Sequence, residues 1–490
     1  MSSTLLSSLD SADNAPALYV DRREVSRAAL ARAAGAHAAL LASRGVAPGD
    51  HVGVWTDPSL ETFVALVGNA LYGAVSVPLN PQLGARELEH VLADAAPKLC
   101  FSGPDRAHAG RIGAIDTLVS PSEGESPPPS RLVDDRPLLV LYTSGTTGAP
   151  KGAVLTARNV ASNLDGLARA WGLRESDRIA HALPMFHVHG LCLGLFGALR
   201  SGAALDWSSR FDPAALAARI GEGATVLYAV PTMYHRLVDA AERDAVVARD
   251  LSRARLLVSG SAPLSTREFH RIERVCGQRV VERYGLTETL INCAVRHDDA
   301  RRAGWVGRSV DGVEVALVDD HRSPTISADG ASIGEVRVRG DSVFGGYLHR
   351  PDATATAMDG ERWFYTGDLA VMDGDGWVKI VGRRATDLIK TGGYKVGAGE
   401  VEAALREHSC VQDCAVIGVD DDDLGERIVA YVVARDEVER PTFDALVAHV
   451  CALISAHKRP REVHFVSELP RNAMGKVLKA ALRASGSTRR

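Results

Sequence analysis

Short apolar runs alternate with stretches of helical period through the first 290 residues, and this alternation constrains the fold more than any other feature. HVGVW (51–55), AVSVPL (74–79) and KLCFSG (98–103) read as strands, and residues 23–47 and 58–71 as helices. The pattern resumes with LLVLY (138–142), a helix over 157–171, then ATVLYAVP (224–231), ARLLVSGSAP (254–263) and RVVERYG (279–285). Such alternation implies parallel sheets covered by helices on both faces. From about residue 305 the period changes. VEVALVDD, IGEVRVRG and WVKIVGR alternate with turns and predict a small β-barrel or a twisted antiparallel sheet. Beyond Gly382-Arg383 a compact α+β unit follows, with helices at 399–408 and 442–456 and strands CAVIGV, RIVAYVVA and EVHFV. The expected class is α/β: a large N-terminal domain (1–383) of two α/β subdomains plus a small β-barrel, then an α+β C-terminal domain (384–490).

Composition narrows the classes of function. The chain has 490 residues, 46% of them hydrophobic, enough for large cores. Only 5% are aromatic, so those cores rest on Ala, Val and Leu. A net charge of −5 argues against a nucleic-acid footprint. The seven cysteines are scattered; Cys410 and Cys414 lack the second pair a zinc site needs. The start, MSSTLLSSLDSADNAP, has neither the basic opening nor the apolar core of a signal peptide. Residues 63–79 are apolar but contain Asn69, Gly68, Gly73 and Pro78, which suits a buried helix and strand rather than a membrane span. The chain is expected to be cytoplasmic, a monomer or homodimer, with no nucleic-acid or membrane partner.

The chemistry concentrates in five segments. In LYTSGTTGAPKGA (141–153) a buried strand empties into Thr143, Ser144, Gly145, Thr146, Thr147 and Gly148, followed by Lys151. Hydroxyls, backbone N–H groups and an ammonium on one loop suit a polyphosphate. The order Pro150-Lys151-Gly152 is not the helix-opening Gly-Lys-Ser/Thr of a P-loop. In ERYGLTET (282–289), Gly285 lets backbone approach a ligand, Thr287 offers a hydroxyl to a phosphate, and Glu288 offers a hard oxygen to Mg²⁺. YTGDL (365–369) places Asp368 after a turn, ready to accept from ribose hydroxyls. GRRATDLIKTGGYK (382–395) carries Arg383 and a glycine pair, and RNAMGK (471–476) ends on Lys476.

Together these segments resemble the adenylate-forming superfamily of acyl-CoA synthetases, nonribosomal adenylation domains and luciferases, over essentially the whole chain. The resemblance implies that the C-terminal domain is a mobile lid. It also implies two half-reactions: a carboxylate displaces pyrophosphate from ATP–Mg²⁺, and the thiol of coenzyme A then displaces AMP. Lys476 is the implied catalytic lysine, with Glu288 and Thr287 beside it. Adenine is expected against Ser259, Gly260, Ser261 and Ala262 and along Glu282, Tyr284 and Gly285. Gly392 and Gly393 are implied to line the pantetheine tunnel, and Tyr394 and Lys395 to bind coenzyme A; Lys458, Arg459 and Arg461 form a basic cluster suited to its phosphates. The eight residues between Arg383 and Gly392 are one more than in many relatives, which places the hinge only within 384–387.

PMFHVHGL (184–191), VPTMYHRL (230–237), RYGLTETLIN (283–292) and ATDLIKTGGYKVGAGE (385–400) closely resemble malonyl-CoA synthetases. A dicarboxylic acid substrate is consistent with Arg236 and Arg283, since a buried guanidinium needs an anionic partner. Arg236 otherwise reads as a surface residue, and Arg283 as a partner of a local carboxylate. His187 is expected to shape the acyl pocket. Ile291, where relatives often carry methionine, is expected near C2 of the acid. The competing readings are an adenylation enzyme that loads a carrier protein, a nucleotide-binding protein without catalysis, and a luciferase-type oxygenase.

Overall fold

A computed structural model describes residues 5–11, 13–102, 115–117, 133–143, 150–324, 326–384, 387–391, 394–421, 423–435, 440–471 and 477–486. Two large sheets organise the first 310 residues. The seven-stranded sheet runs Gly346–Tyr347, Lys151–Thr156, Pro137–Thr143, Val75–Leu79, His51–Trp55, Leu99–Ser102, Ile115–Thr117. Its pairings are parallel from Pro137–Thr143 onward and antiparallel before it. The nine-stranded sheet is parallel from Val281–Leu286 through Leu256–Ser259, Val226–Ala229, Arg178–His181 and Ala204–Trp207 to Pro16–Val20. Antiparallel strands close both of its edges. One hydrophobic cluster joins the two sheets through the helices between them.

Helix boundaries follow local chemistry. Thr156 caps Ala157–Trp171 by accepting from the Asn159 N–H, and Gly172 ends it in the left-handed region. The helix expected over 23–47 begins later, at Arg27. Residues Arg23–Ser26 instead pair antiparallel with Pro16–Val20 across a turn in which Asp21 and Arg22 both have positive φ. That hairpin gives REVS a ladder of backbone bonds, and Ser26 becomes the cap of the delayed helix.

The third region is an open four-stranded antiparallel sheet, ordered Val313–Val318, Gly334–Gly340, Phe364–Met372, Val378–Arg383. It is therefore the twisted-sheet alternative rather than a closed barrel, because its first and last strands do not pair. A further sheet starts at Leu388–Thr391 and contains the long hairpin Val411–Asp421 with Gly425–Ala434, joined in parallel by Glu462–Phe465. Helices Ala398–Arg406 and Phe443–Leu453 pack on it.

Candidate active site

The strand Pro137–Thr143 and the strand Lys151–Thr156 are two arms of one hairpin, with Thr143 opposite Lys151. Lys151 thus opens a strand, in accord with its poor helix-opening context. Ser144, Gly145, Thr146, Thr147 and Gly148 lie outside the described residues. Both ends of the hairpin tip are held by the helix Ala85–Ala95. His90 Nε2 donates to the Pro150 carbonyl at 2.8 Å, and the Tyr142 hydroxyl donates to Asp94 Oδ2 at 2.9 Å. These two residues are four apart, hence on one helical face.

The segment ERYGLTET forms a tight hairpin between Val281–Leu286 and Leu290–Ala294. Leu290 has φ +57°, and a Cβ on Gly285 would lie 1.8 Å from the Leu290 carbonyl oxygen. Only glycine fits there, and Thr287 and Glu288 sit in the turn that joins the two strands. Thr287 is half-buried and Glu288 buried. One Glu288 oxygen accepts from the Tyr347 hydroxyl at 2.8 Å. The other has no hydrogen-bond partner among the described residues. No cluster of three or more metal-ligating side chains occurs among them either. A single open carboxylate oxygen close to Lys151 fits Mg²⁺, which takes one or two carboxylates and completes its shell with phosphate and water.

Tyr284, Asp368 and Arg383 form a chain. The Tyr284 hydroxyl donates to Asp368 Oδ2 at 2.7 Å, and Arg383 Nε reaches Asp368 Oδ1 at 2.8 Å. Asp368 is buried, and it lies opposite Arg383 in the sheet register. Two segments distant in sequence thus meet at one buried carboxylate. Glu282, one strand pleat away from Tyr284, is buried and accepts from the Gly304 N–H at 2.9 Å. Burial pushes its carboxyl up to about 7, against the pull of the Gly304 and Leu264 N–H groups. Glu282 thereby ties the Ser259–Leu264 loop to residue 304, so its bonds are structural ones.

Arg283 points to the opposite face. It is buried, burial lowers its pKa to about 10, and among the described residues it meets no carboxylate. Among the described residues its side chain bonds only from Nη2 to Ser261 Oγ, at 3.3 Å, and Nε has no partner there. The local-carboxylate reading of Arg283 is thereby corrected. Gly260 makes room for it, since a Cβ there would lie 2.3 Å from Nε. Ser261 holds φ +69°, and Ser259 is buried with an unpartnered hydroxyl, while Ala262 is exposed.

Beside Arg283 lies His189, two residues after the expected acyl-pocket residue His187. His189 opens a buried π-helix, His189–Phe196, and both of its ring nitrogens lack partners. Burial, reinforced by the Arg283 charge, holds it far below its ordinary pKa and neutral. Its ring packs 5.7 Å from that of Tyr228, which stacks on His181. Tyr228 lies in the apolar strand Val226–Ala229 and is buried in the core. His187 is half-buried against Phe186, and burial lowers it to about 4. Ile291 is buried, its backbone bonded on both sides by the Asn163 amide.

Arg236 departs from the expectation of a buried cation. It is exposed on the helix Pro231–Arg243, where Met233, Tyr234 and Leu237 take the buried face. The argument from buried, unpaired charge therefore applies to Arg283 alone. The basic cluster expected for coenzyme A is also altered. Lys458 pairs with Glu400 at 2.5 Å, and Arg459 donates to the Ala456 carbonyl at 2.7 Å. Tyr394 is exposed and stacks on His457 at 4.1 Å. Gly392, Gly393, the Lys395 side chain and Lys476 lie outside the described residues. The flanks of Lys476 are fixed, however. Arg471 pairs with Asp413, and Lys479 bridges Asp387 and Glu402 at 2.6 Å each. Asp387 also accepts from the Arg383 N–H at 2.9 Å.

No described helix is long and apolar enough to cross a membrane. Residues 8–348 match the AMP-binding enzyme family, and residues 400–476 match the AMP-binding enzyme C-terminal domain. The malonate–CoA ligase of Arabidopsis thaliana is 33% identical over 89% of this chain and 78% of its own length. A solved malonyl-CoA ligase with methylmalonyl-CoA and AMP bound is 46% identical, covering 95% of this chain and 100% of that one, with a TM-score of 0.73. ATP-bound MatB from Rhodopseudomonas palustris is 32% identical over 100% and 99% of the two chains, with a TM-score of 0.89. With both family models in order along it, this chain belongs to the AMP-binding enzyme family.

Proposed function

We propose that this chain is an AMP-forming malonate–CoA ligase, a malonyl-CoA synthetase that also takes methylmalonate. The observation that supports the substrate is Arg283: a buried guanidinium with no carboxylate partner among the described residues, one residue before the tyrosine that holds Asp368. A monocarboxylic acid would leave that charge unpaired at a cost of several kcal/mol. A second carboxylate would satisfy it with short, charge-assisted bonds.

In this reading the reacting carboxylate needs no general base, since an acid of pKa about 4 is ionised at neutral pH. The obstacle is the approach of two anions, so the demand is for cations and donors at the α-phosphate. Lys476, the 143–151 loop and Thr287 meet it. Asp368 accepts from the ribose hydroxyls and Arg383 holds Asp368 in place. Glu288 is the residue that would hold Mg²⁺, which when bound neutralises charge on the triphosphate. A carboxylate oxygen bonds to the α-phosphorus, pyrophosphate leaves, and the thiolate of coenzyme A then attacks the acyl carbon and releases AMP. Residues 384–490 act as the lid that carries Lys476 to the first step and Gly392–Gly393 to the second. We place the enzyme in the cytoplasm.

An acid panel with ATP, Mg²⁺ and coenzyme A tests this reading, following AMP and thioester together. Malonate and methylmalonate should give both products in equal amounts. Acetate or propionate turning over as well as malonate would contradict it.

A further inference from the structure

We propose that Tyr347 is a positioning residue of the adenylating centre: its hydroxyl sets the Glu288 carboxylate for the divalent cation, and its ring face sets the Lys151 ammonium for the phosphates. The proposal rests on the reading of the chain as an ATP–Mg²⁺-dependent ligase.

Tyr347 lies outside the five segments, 59 residues from Glu288, yet its backbone is joined to the turn of Glu288 and to the strand of Lys151. Gly346 and Tyr347 pair with Val154 and Ala153, adding an edge to the phosphate hairpin. The Leu348 N–H donates to the Gly152 carbonyl at 2.8 Å, and the Phe344 N–H to the Glu288 carbonyl at 2.8 Å. The segment 344–348 therefore straps the Glu288 turn to the strand that begins at Lys151. Two further bonds fix the strap itself. The Tyr347 N–H donates to Thr354 Oγ1 at 3.0 Å, and Arg350 reaches Asp94 at 3.3 Å, the same carboxylate that holds Tyr142. The Phe344 ring meets the Tyr347 ring edge to face at 4.8 Å, which limits its rotation.

On this fixed ring the two polar contacts have different geometry. The hydroxyl donates to one oxygen of Glu288 at 2.8 Å, which selects one orientation of the carboxylate and leaves the other oxygen available. The face of the ring lies 5.0 Å from Lys151 Nζ, within cation–π range. One side chain thus holds a group for the cation and a group for the phosphates at a fixed separation. A free glutamate and a free lysine in that place would attract each other instead.

Two substitutions separate the contacts. Tyr347→Phe removes the hydroxyl and keeps the ring; Tyr347→Leu removes both. Tyr347→Phe is expected to raise the Mg²⁺ concentration for half-maximal acid-dependent ATP–pyrophosphate exchange by about three- to tenfold. The affinity of the ATP-bound protein for Mn²⁺, read by electron paramagnetic resonance without acid substrate, should weaken by a similar factor. The KM for the acid and the unfolding midpoint should stay near the wild type. Tyr347→Leu should add a rise in the KM for ATP that Tyr347→Phe lacks. Wild-type Mn²⁺ affinity in Tyr347→Phe overturns the proposal, as does a fall in unfolding midpoint with metal affinity unchanged. A wild-type protein that forms no AMP with any acid would instead overturn the reaction assigned above, so the two failures are distinguishable.

Discussion

The Tyr284 hydroxyl donates to Asp368 Oδ2 at 2.7 Å, joining a strand of the nine-stranded sheet to a strand of the antiparallel sheet 84 residues later. Arg383 closes the chain from the other oxygen. The Asp368 carboxylate is thus oriented by two partners before any ligand arrives. Asp368→Asn keeps the shape and removes the charge that makes these bonds strong. It is expected to raise the KM for ATP by about ten- to thirtyfold, with a smaller effect on the KM for the acid. Steady-state kinetics with each substrate varied in turn measures the split; equal effects on both would show that Asp368 does not face the nucleotide.

Arg283 and Arg236 should differ sharply. Arg283→Met removes the buried charge that the proposed function pairs with a second carboxylate, and kcat/KM for malonate should fall about a hundredfold or more while that for propionate changes little. Arg236→Ala, at an exposed position, should cost less than about fivefold. Gly260→Ala is the companion test. Its Cβ would lie 2.3 Å from Arg283 Nε, so the guanidinium must shift. The variant should lose malonate preference without losing ATP–pyrophosphate exchange with other acids.

Lys476→Ala should abolish most adenylate formation, lowering acid-dependent ATP–pyrophosphate exchange by about a hundred- to a thousandfold. Thioester formation from chemically prepared malonyl-adenylate and coenzyme A should survive, because the second step does not spread charge on a triphosphate. Loss of both steps would remove the special role of Lys476 in the first.

The pH dependence of stability carries the signature of Glu282. Its pKa is raised in the folded chain from 4.5 to about 7 by burial. The folded form therefore favours the protonated acid. That contribution is complete below about pH 4.5 and is lost as pH rises through about 7, a span on the order of 3 kcal/mol. Glu282→Gln should flatten the fall in stability between pH 5 and pH 8, as measured by urea unfolding at fixed temperature. An unaltered slope would mean that Glu282 is ionised in the fold.

Local chemistry made much of this molecule legible. Thr156 and Gly172 bound a helix that the sequence places at the same residues, because a cap and a left-handed stop are local features. Gly285 is required by a turn whose residues are its neighbours. The start of the first long helix was not legible, because Arg23–Ser26 becomes a strand only when Pro16–Val20 lies beside it.

The site divides along the same line. The sequence by itself determined the types of group and their order along the chain: a hydroxyl-rich loop, a glutamate and an aspartate each beside a glycine turn, and a lysine near the end. Residue type and short spacing encode these. Tertiary structure alone decided which cation is buried. Arg236 and Arg283 look equivalent as letters, yet one lies on the open face of a helix and the other beneath Gly260. It also decided which cations are already paired, as Lys458 is by Glu400. And it brought Tyr347 to Glu288, 59 residues away. Desolvation and distance between remote segments are properties of the packed chain, and they fix how strongly each charge needs a partner.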